Sequence, residues 1–268
     1  MGEPLGGAGP SGSVRPLEGK VAIVTGAGGS GGIGRSYART LGHAGASVVV
    51  VDIDQPGAES VARELAGEGM RALGLLGDVT DPASMQAVVG RADDELGGVD
   101  ILVNNAALMA ELTRQPLTDC SLEEWNRVFQ VNLTGVLICV QAAVPSMRRR
   151  GGGRIVNQSS AAGFPPASPY GISKLAVSGL TIALARQLGK DGICVNAIAP
   201  GIVDSDAGFR LAPEGSPMRQ RAQERAALDQ AFGSPEDLAG ALLLLTGPGG
   251  GWITGQTISV DGGWVMRT

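Results

Sequence analysis

Aromatic residues make up only 3% of this 268-residue sequence, which has one histidine and three cysteines. Cys120, Cys139 and Cys194 stand far apart with no CxxC pair, and His43 alone could join them. Neither a metal cluster nor a disulfide framework is therefore expected, and a reducing cytoplasm suits such a chain. Charge is also thin: 18% of residues are Asp, Glu, Lys or Arg, and the net charge is −5. With no basic face to attract them, nucleic acid and anionic lipid are not expected partners. No apolar run reaches the roughly 18 residues that span a bilayer. Residues 1–16 are rich in Gly and Pro and lack the apolar stretch of a signal peptide, so they read as a disordered tail. No linker divides residues 17–268, which read as one domain.

Glycine is what the chain has in excess, 43 residues in all. The run Lys20 to Thr25 is a short apolar strand pattern that leads into the glycine turn Gly26 to Gly34 and then into a helix pattern. Strand, glycine turn and helix in that order suit a dinucleotide pyrophosphate, because glycine lets backbone N–H groups and a helix N-terminus approach phosphate. The next strand pattern, Ser47 to Ile53, contains Asp52 at its end, 18 residues beyond Gly34. A carboxylate there can accept both hydroxyls of an adenosine ribose.

The alternation continues with a helix over about Pro56 to Ala66, a strand over Ala72 to Val79, a helix over Pro82 to Leu96 and a strand over Asp100 to Ala106. Such alternation predicts an α/β fold, a doubly wound parallel sheet with helices on both faces. Ligands of these sheets sit beyond the carboxyl ends of the strands, where Gly26, Asp52, Asp78, Asn105 and Ser160 all fall. Ser121 reads as the N-cap of a long helix reaching about Met147, with Glu123 and Glu124 in its first turn. That helix and the one after Tyr170 are apolar on nearly every face, which predicts a partner helix, from another subunit, on the side away from the sheet. Asn132 is a polar residue inside the first of them. A further strand spans Gly192 to Pro200, a helix lies over Leu238 to Leu245, and a last strand spans Gln256 to Val260. Between them, residues 204–230 mix Gly, Pro and charge and read as a flap of short helices over a substrate.

The segment Ile155 to Lys174 holds the most reactive pattern. Tyr170 and Lys174 are four apart, so on a helix they rise from one face. A phenol has a pKa of about 10, and a neighbouring ammonium favours its ionised form. A serine at the preceding strand end, Ser159 or Ser160, could hold a carbonyl or hydroxyl oxygen against the phenol. Ser160 is preferred.

These residues together resemble the short-chain dehydrogenase/reductase family. The resemblance rests on Thr25-Gly26 with Gly32-Ile33-Gly34, Asp78, Asn104-Asn105-Ala106, Asn132, Ser160, Tyr-Gly-Ile-Ser-Lys at 170–174, and Pro-Gly-Ile-Val at 200–203. It covers nearly everything after Pro16. It implies one Rossmann-type domain, NAD as cofactor, and a catalytic set of Asn132, Ser160, Tyr170 and Lys174. It also implies that Asp78 and Val79 flank the adenine and that Asn105 and Ala106 lie on the adenosine side. Pro200, Gly201, Val203 and Ser205 would then lie at the nicotinamide end. Asn132 would kink its helix and hold a water beside Lys174. The substrate would be a secondary alcohol or ketone, hydrophobic or cyclic given apolar residues such as Met109, Phe209 and Met218, and the assembly a homotetramer. Two alternatives remain: a nucleotide-sensing regulator, whose family members usually lack the tyrosine or lysine, and a dehydratase or epimerase. The glycine turn is two residues longer than the family's usual one, and Ser205 replaces the usual threonine.

Overall fold

The computed structural model describes residues 15–109, 115–230 and 232–266. Most of the expected 1–16 tail thus lies outside the described residues. In chain order the elements are β1 (Val21–Thr25), α1 (Ile33–His43), β2 (Ser47–Asp52), α2 (Gln55–Gly67), β3 (Ala72–Leu76), α3 (Pro82–Leu96) and β4 (Ile101–Asn104). Then follow α4 (Leu122–Phe129), a π-turn (Gln130–Thr134), α5 (Gly135–Arg149), β5 (Gly153–Gln158), α6 (Pro169–Leu188) and β6 (Ile193–Pro200). The chain closes with α7 (Asp206–Leu211), α8 (Pro217–Arg225), α9 (Ala239–Thr246) and β7 (Thr257–Val260).

All seven strands are parallel, in the order β3-β2-β1-β4-β5-β6-β7. The order reverses between β1 and β4, and there the crevice for a dinucleotide opens in a doubly wound sheet. Period-2 alternation sorts each strand between two cores. Ala22, Val24, Val48, Val50, Ile101 and Val103 meet α1, α2 and α9 on one face. Val21, Ile23, Val49, Val51 and Leu102 meet α3, α5 and the C-terminal part of α6 on the other. Burial on both faces is why these strands read as unbroken apolar runs. Each fully buried Leu or Ile contributes about 1.5–3 kcal/mol.

Caps set the helix starts that matter for the site. Ser121 Oγ accepts from Glu124 N at 3.1 Å, and Ser168 Oγ accepts from Gly171 N at 3.1 Å, with Pro169 at the first helical position. The second cap fixes where Tyr170 leaves the backbone.

The distortion expected at Asn132 takes a definite form, and two other expectations are corrected. The helix from Ser121 to Met147 is interrupted by the π-turn around Asn132, whose buried amide bonds to groups outside its own helix. β3 ends at Leu76 rather than Val79, because Asp78 folds back through its own turn: Thr80 N and Thr80 Oγ1 both donate to Asp78 Oδ1. By length and composition, the helical run Leu122–Arg149 is long and apolar enough to cross a membrane, although half of its apolar window is buried within the fold, as in a core helix. In α5, Val136, Ile138, Cys139, Val140, Ala143, Val144 and Met147 are buried within one chain.

Candidate active site

At the carboxyl ends of β1 and β4 the chain is too tightly packed for side chains at two glycines. Gly26 has φ +63°, and a Cβ there would lie 2.6 Å from Ala106 Cα; a Cβ on Gly34 would lie 2.4 Å from the Gly26 carbonyl oxygen. Asn105 braces this packing. Its Nδ2 donates to the carbonyls of Thr25 at 3.0 Å and Gly26 at 2.9 Å, while Thr25 Oγ1 accepts from Asn105 N and Ala106 N. Asn105 and Ala106 therefore hold the glycine turn in place. Gly32 precedes α1 in an extended conformation and offers no side-chain cap, so Ile33, Gly34 and their neighbours present the first N–H groups of an 11-residue helix. Such a helix end suits the negative charge of a pyrophosphate.

Asp52 at the end of β2 accepts from Gly28 N at 2.8 Å through Oδ2 and from Asp54 N at 3.1 Å through Oδ1. A single half-buried carboxylate thus joins the end of β2 to the glycine turn. The cations nearby are already engaged. Arg35 bonds to Glu64 and to the Ser30 carbonyl, and Arg39 pairs with Glu68. Further along the edge, Asp78 keeps one carboxylate oxygen without a protein partner among the described residues. Val79 turns its side chain inward; a Cβ at Gly135 would come within 2.9 Å of Val79 Cγ2, so only the backbone of Val79 can flank a ligand. The glycine cradle, free helix end and ribose-side carboxylate fit an adenine dinucleotide.

The proton-transfer candidates meet at the ends of β5 and α6. Ser160 and Tyr170 line the same cavity, and Ser160 Oγ accepts from Ala162 N at 3.1 Å. Ser159 faces away, with its Oγ 2.9 Å from the Lys174 carbonyl and 3.0 Å from Ser178 Oγ, which separates the two serines that spacing alone left open. Lys174 is fully buried, donates from Nζ to the Gln158 carbonyl at 2.8 Å, and lies 5.6 Å from the Tyr170 ring centroid. Asn132 Oδ1 accepts from Leu108 N at 2.8 Å, and its Nδ2 donates to Leu108 O and Ser173 Oγ, both at 3.1 Å. Asn132 therefore locks the chain after β4 to α6, one residue before Lys174.

Burial changes the expected electrostatics. It pushes the Tyr170 phenol up to about 12, against a smaller opposing effect of the nearby Ser160 side chain, and pushes the Lys174 ammonium down to about 7. The expected lowering of the phenol by lysine is thus not what the protein groups alone produce. Lys174 sits over the ring rather than at the hydroxyl, and desolvation disfavours the charge on both partners.

Ser160 and Tyr170 face a cavity of about 540 Å³, which Ile33, Gln158, Pro200, Gly201 and Val203 also line. Ser205 does not reach it. Its hydroxyl caps α7 by accepting from Gly208 N at 3.1 Å. Of the apolar residues expected to line the substrate side, Met109 and Met218 do so, whereas Phe209 turns to the other face of the flap, with Arg219 5.3 Å from its ring centroid. Arg219 organises that flap: it stacks 4.0 Å from the Phe232 centroid and bonds to Asp204 at 2.6 Å and to the Ala212 carbonyl at 3.2 Å. The lengthened glycine turn also meets this segment, since Ser30 Oγ donates to Asp206 Oδ2 at 3.2 Å. Sequence reasoning missed Arg219, and it missed Gln158, whose Oε1 accepts from the Tyr37 hydroxyl at 2.9 Å. A lone arginine in a mixed segment and a glutamine at a strand end carry no pattern that would single them out.

A dinucleotide crevice beside a Tyr–Ser–Lys cluster defines an oxidoreductase that works with a nicotinamide cofactor. The chain belongs to the short-chain dehydrogenase/reductase family: a family profile described as Enoyl-(Acyl carrier protein) reductase matches residues 26–265. An uncharacterized oxidoreductase of Mycobacterium tuberculosis is 43% identical over 252 residues, covering 94% of this chain and 100% of that protein. The cis-4-hydroxycyclohexanecarboxylate dehydrogenase of Sinomonas cyclohexanicum is 38% identical, covering 91% of this chain and 96% of that one. A solved structure of a blue fluorescent protein from a metagenomic library, in complex with NADPH, superposes with a TM-score of 0.83 at 34% identity, covering 94% of this chain and 100% of that one.

Proposed function

We propose that this protein is an NAD-dependent dehydrogenase/reductase acting between a secondary alcohol and the corresponding ketone, with a hydrophobic or cyclic substrate. The observation that carries this reading is that Tyr170 and Ser160 line one cavity wall, with buried Lys174 5.6 Å from the Tyr170 ring centroid. When bound, the nicotinamide supplies or accepts the hydride. Tyr170 gives a proton to the oxygen of the ketone during reduction and takes it from the alcohol during oxidation. Ser160 holds that oxygen and stabilises its developing negative charge. A phenol raised to about 12 favours the donor role; for oxidation, a ribose against Lys174 would supply polar partners that keep the ammonium charged and ease loss of the phenolic proton. Asn132 acts by position. Its side chain is occupied by Leu108 and Ser173, so a water on the Lys174 side would be held by backbone groups.

The choice of NAD rests on Asp52 and on the engagement of Arg35 by Glu64. NADP is the second reading, favoured by the NADPH bound to one structural relative. A cyclic substrate is supported by the relative named for a hydroxycyclohexanecarboxylate and by Met109, Ala162, Ala167, Met218 and Trp264 in the cavity wall. The reading includes a homotetramer, for which exposed Leu122, Leu175 and Ile182 on α4 and α6 supply apolar contact area, and a cytoplasmic setting that keeps three cysteines free. The test is a screen of cyclic and aliphatic secondary alcohols with NAD and NADP, following absorbance of the reduced cofactor. Turnover of ketones or alcohols is expected; cofactor binding with no turnover of any member would favour a nucleotide sensor.

A further inference from the structure

Two arginines on the flap have no acidic partner, and both reach the reaction cavity. Arg221 and Arg225 lie four residues apart on α8 and line the same cavity of about 540 Å³ as Ser160 and Tyr170. Among the described residues neither side chain makes an ion pair or a hydrogen bond, whereas their neighbour Arg219 is paired with Asp204. Like charges at this spacing on one helix face repel each other. The acidic residue of α8, Glu224, gives no relief, because it lines a separate hollow with Glu214, Arg219 and Asp204 on the other side of the flap. Among the described residues no aspartate or glutamate lines the reaction cavity; beyond Arg221 and Arg225, the substrate side is formed by Met109, Met218, Ala162, Ala167 and Trp264, with Gln115 and Ser168 as neutral polar groups. In a chain of net charge −5, two unpaired cations at one cavity form a local positive site that a bound anion would neutralise.

We propose that Arg221 and Arg225 anchor a carboxylate of the substrate. The molecule that reacts at Tyr170 is then a hydroxy or oxo acid whose apolar body lies along Met109, Met218 and Trp264 and whose acid group lies at α8. Guanidinium forks match a planar carboxylate with paired hydrogen bonds, which gives orientation as well as attraction. Held at both ends, the substrate presents one carbon to the hydride and one oxygen to Ser160 and Tyr170. This inference deepens the oxidoreductase reading above and rests on it.

The test uses the full-length protein saturated with NADH, with NADH binding measured first by its own fluorescence titration. Cyclohexanecarboxylate, benzoate and hexanoate are then titrated by calorimetry, each beside its primary amide, with cyclohexylphosphonate in parallel. At least one acid is expected to bind tenfold or more tightly than its amide. In the Arg221→Gln/Arg225→Gln variant that ratio falls toward one, while NADH affinity is retained and the thermal midpoint stays at or above that of the parent, because a repulsive pair has been removed. Normal NADH binding with acid-to-amide ratios near one in the parent would overturn the anchor alone, and so would a preference for acids that survives in the variant. Tighter binding of the phosphonate would overturn the carboxylate assignment. Failure of both NADH and NADPH to bind would overturn the oxidoreductase reading and the anchor with it; if only NADPH binds, the same titrations are run on the NADPH-saturated protein.

Discussion

Replacing Asp52 separates two effects that its carboxylate combines. Oδ2 accepts from Gly28 N at 2.8 Å, so the charge stands directly beside the glycine turn. A 2′-phosphate on the ribose would meet that charge at roughly 5 Å. At effective dielectrics between about 80 and 20 the repulsion amounts to about 1–3 kcal/mol, roughly 5- to 150-fold in affinity. Asp52→Asn removes the charge but keeps one acceptor oxygen, enough for Gly28 N or Asp54 N but not both. Asp52→Ala removes both, and the loss of the partly buried bond to Gly28 costs about 1–2 kcal/mol, or roughly 2–6 °C in Tm for a domain of this size. The expected outcome is a preference of at least tenfold for NAD in kcat/KM of the unmodified protein. Both variants should shift the NADP-to-NAD ratio upward by about tenfold, and only Asp52→Ala should also lose stability and weaken both cofactors. The assay is kcat/KM with each cofactor at a fixed substrate, beside thermal unfolding of the same samples. An unchanged ratio in Asp52→Asn would show that the carboxylate does not face the ribose, whatever its effect on the turn.

Tyr170→Phe is expected to lower kcat by roughly 100-fold or more while NAD binding persists, since general acid–base catalysis contributes about that much and the ring is retained; more than a few per cent of residual turnover would remove Tyr170 from the proton-transfer role. Lys174 is held near 7, below its ordinary value of about 10.4. Between these values the unfolded chain binds more protons, so stability should rise with pH from about 7 to 9, by up to about 1.4 kcal/mol per pH unit, and be insensitive to this group below about 6. Chemical denaturation across that range should show the slope in the parent and not in Lys174→Met, and equal slopes would mean that Lys174 keeps an ordinary pKa. Light scattering at micromolar concentration should report a tetramer, because Leu122 is 78% exposed, Ile182 48% and Leu175 40% in one chain; a monomeric mass counts against it.

Much of the scaffold was legible because its elements are built from local rules. Pro82 after Asp81, with glycine at 97 in the left-handed region, bounded α3 at the observed residues. Unbroken apolar runs marked the strands, and their ends placed Gly26, Asp52, Asn105 and Ser160 along one edge. The kink at Asn132 was legible only through the family resemblance: apolar residues continue on both sides, and the distortion comes with bonds to Leu108 and Ser173 that lie 24 and 41 positions away. The same holds for the two serines. Ser159 and Ser160 differ in what they face only after α6 has docked and offered the Lys174 carbonyl to one of them. The Tyr170 phenol failed the simple expectation because burial, a property of the assembled fold, outweighs a neighbouring charge that is itself desolvated.

The flap keeps its own small apolar cluster. Ile202, Ala212 and Ala222, with Phe232 and Trp264 against them, share no buried member with the two cores that clamp the sheet. Substitutions on α7 and α8 thus act on a separate cooperative unit, whose opening costs less than global unfolding. For a lineage under selection this separates two kinds of change. Residues that read the substrate can be exchanged without disturbing the strands that carry the hydride chemistry, so new specificities are reachable in single steps from a scaffold that stays folded throughout.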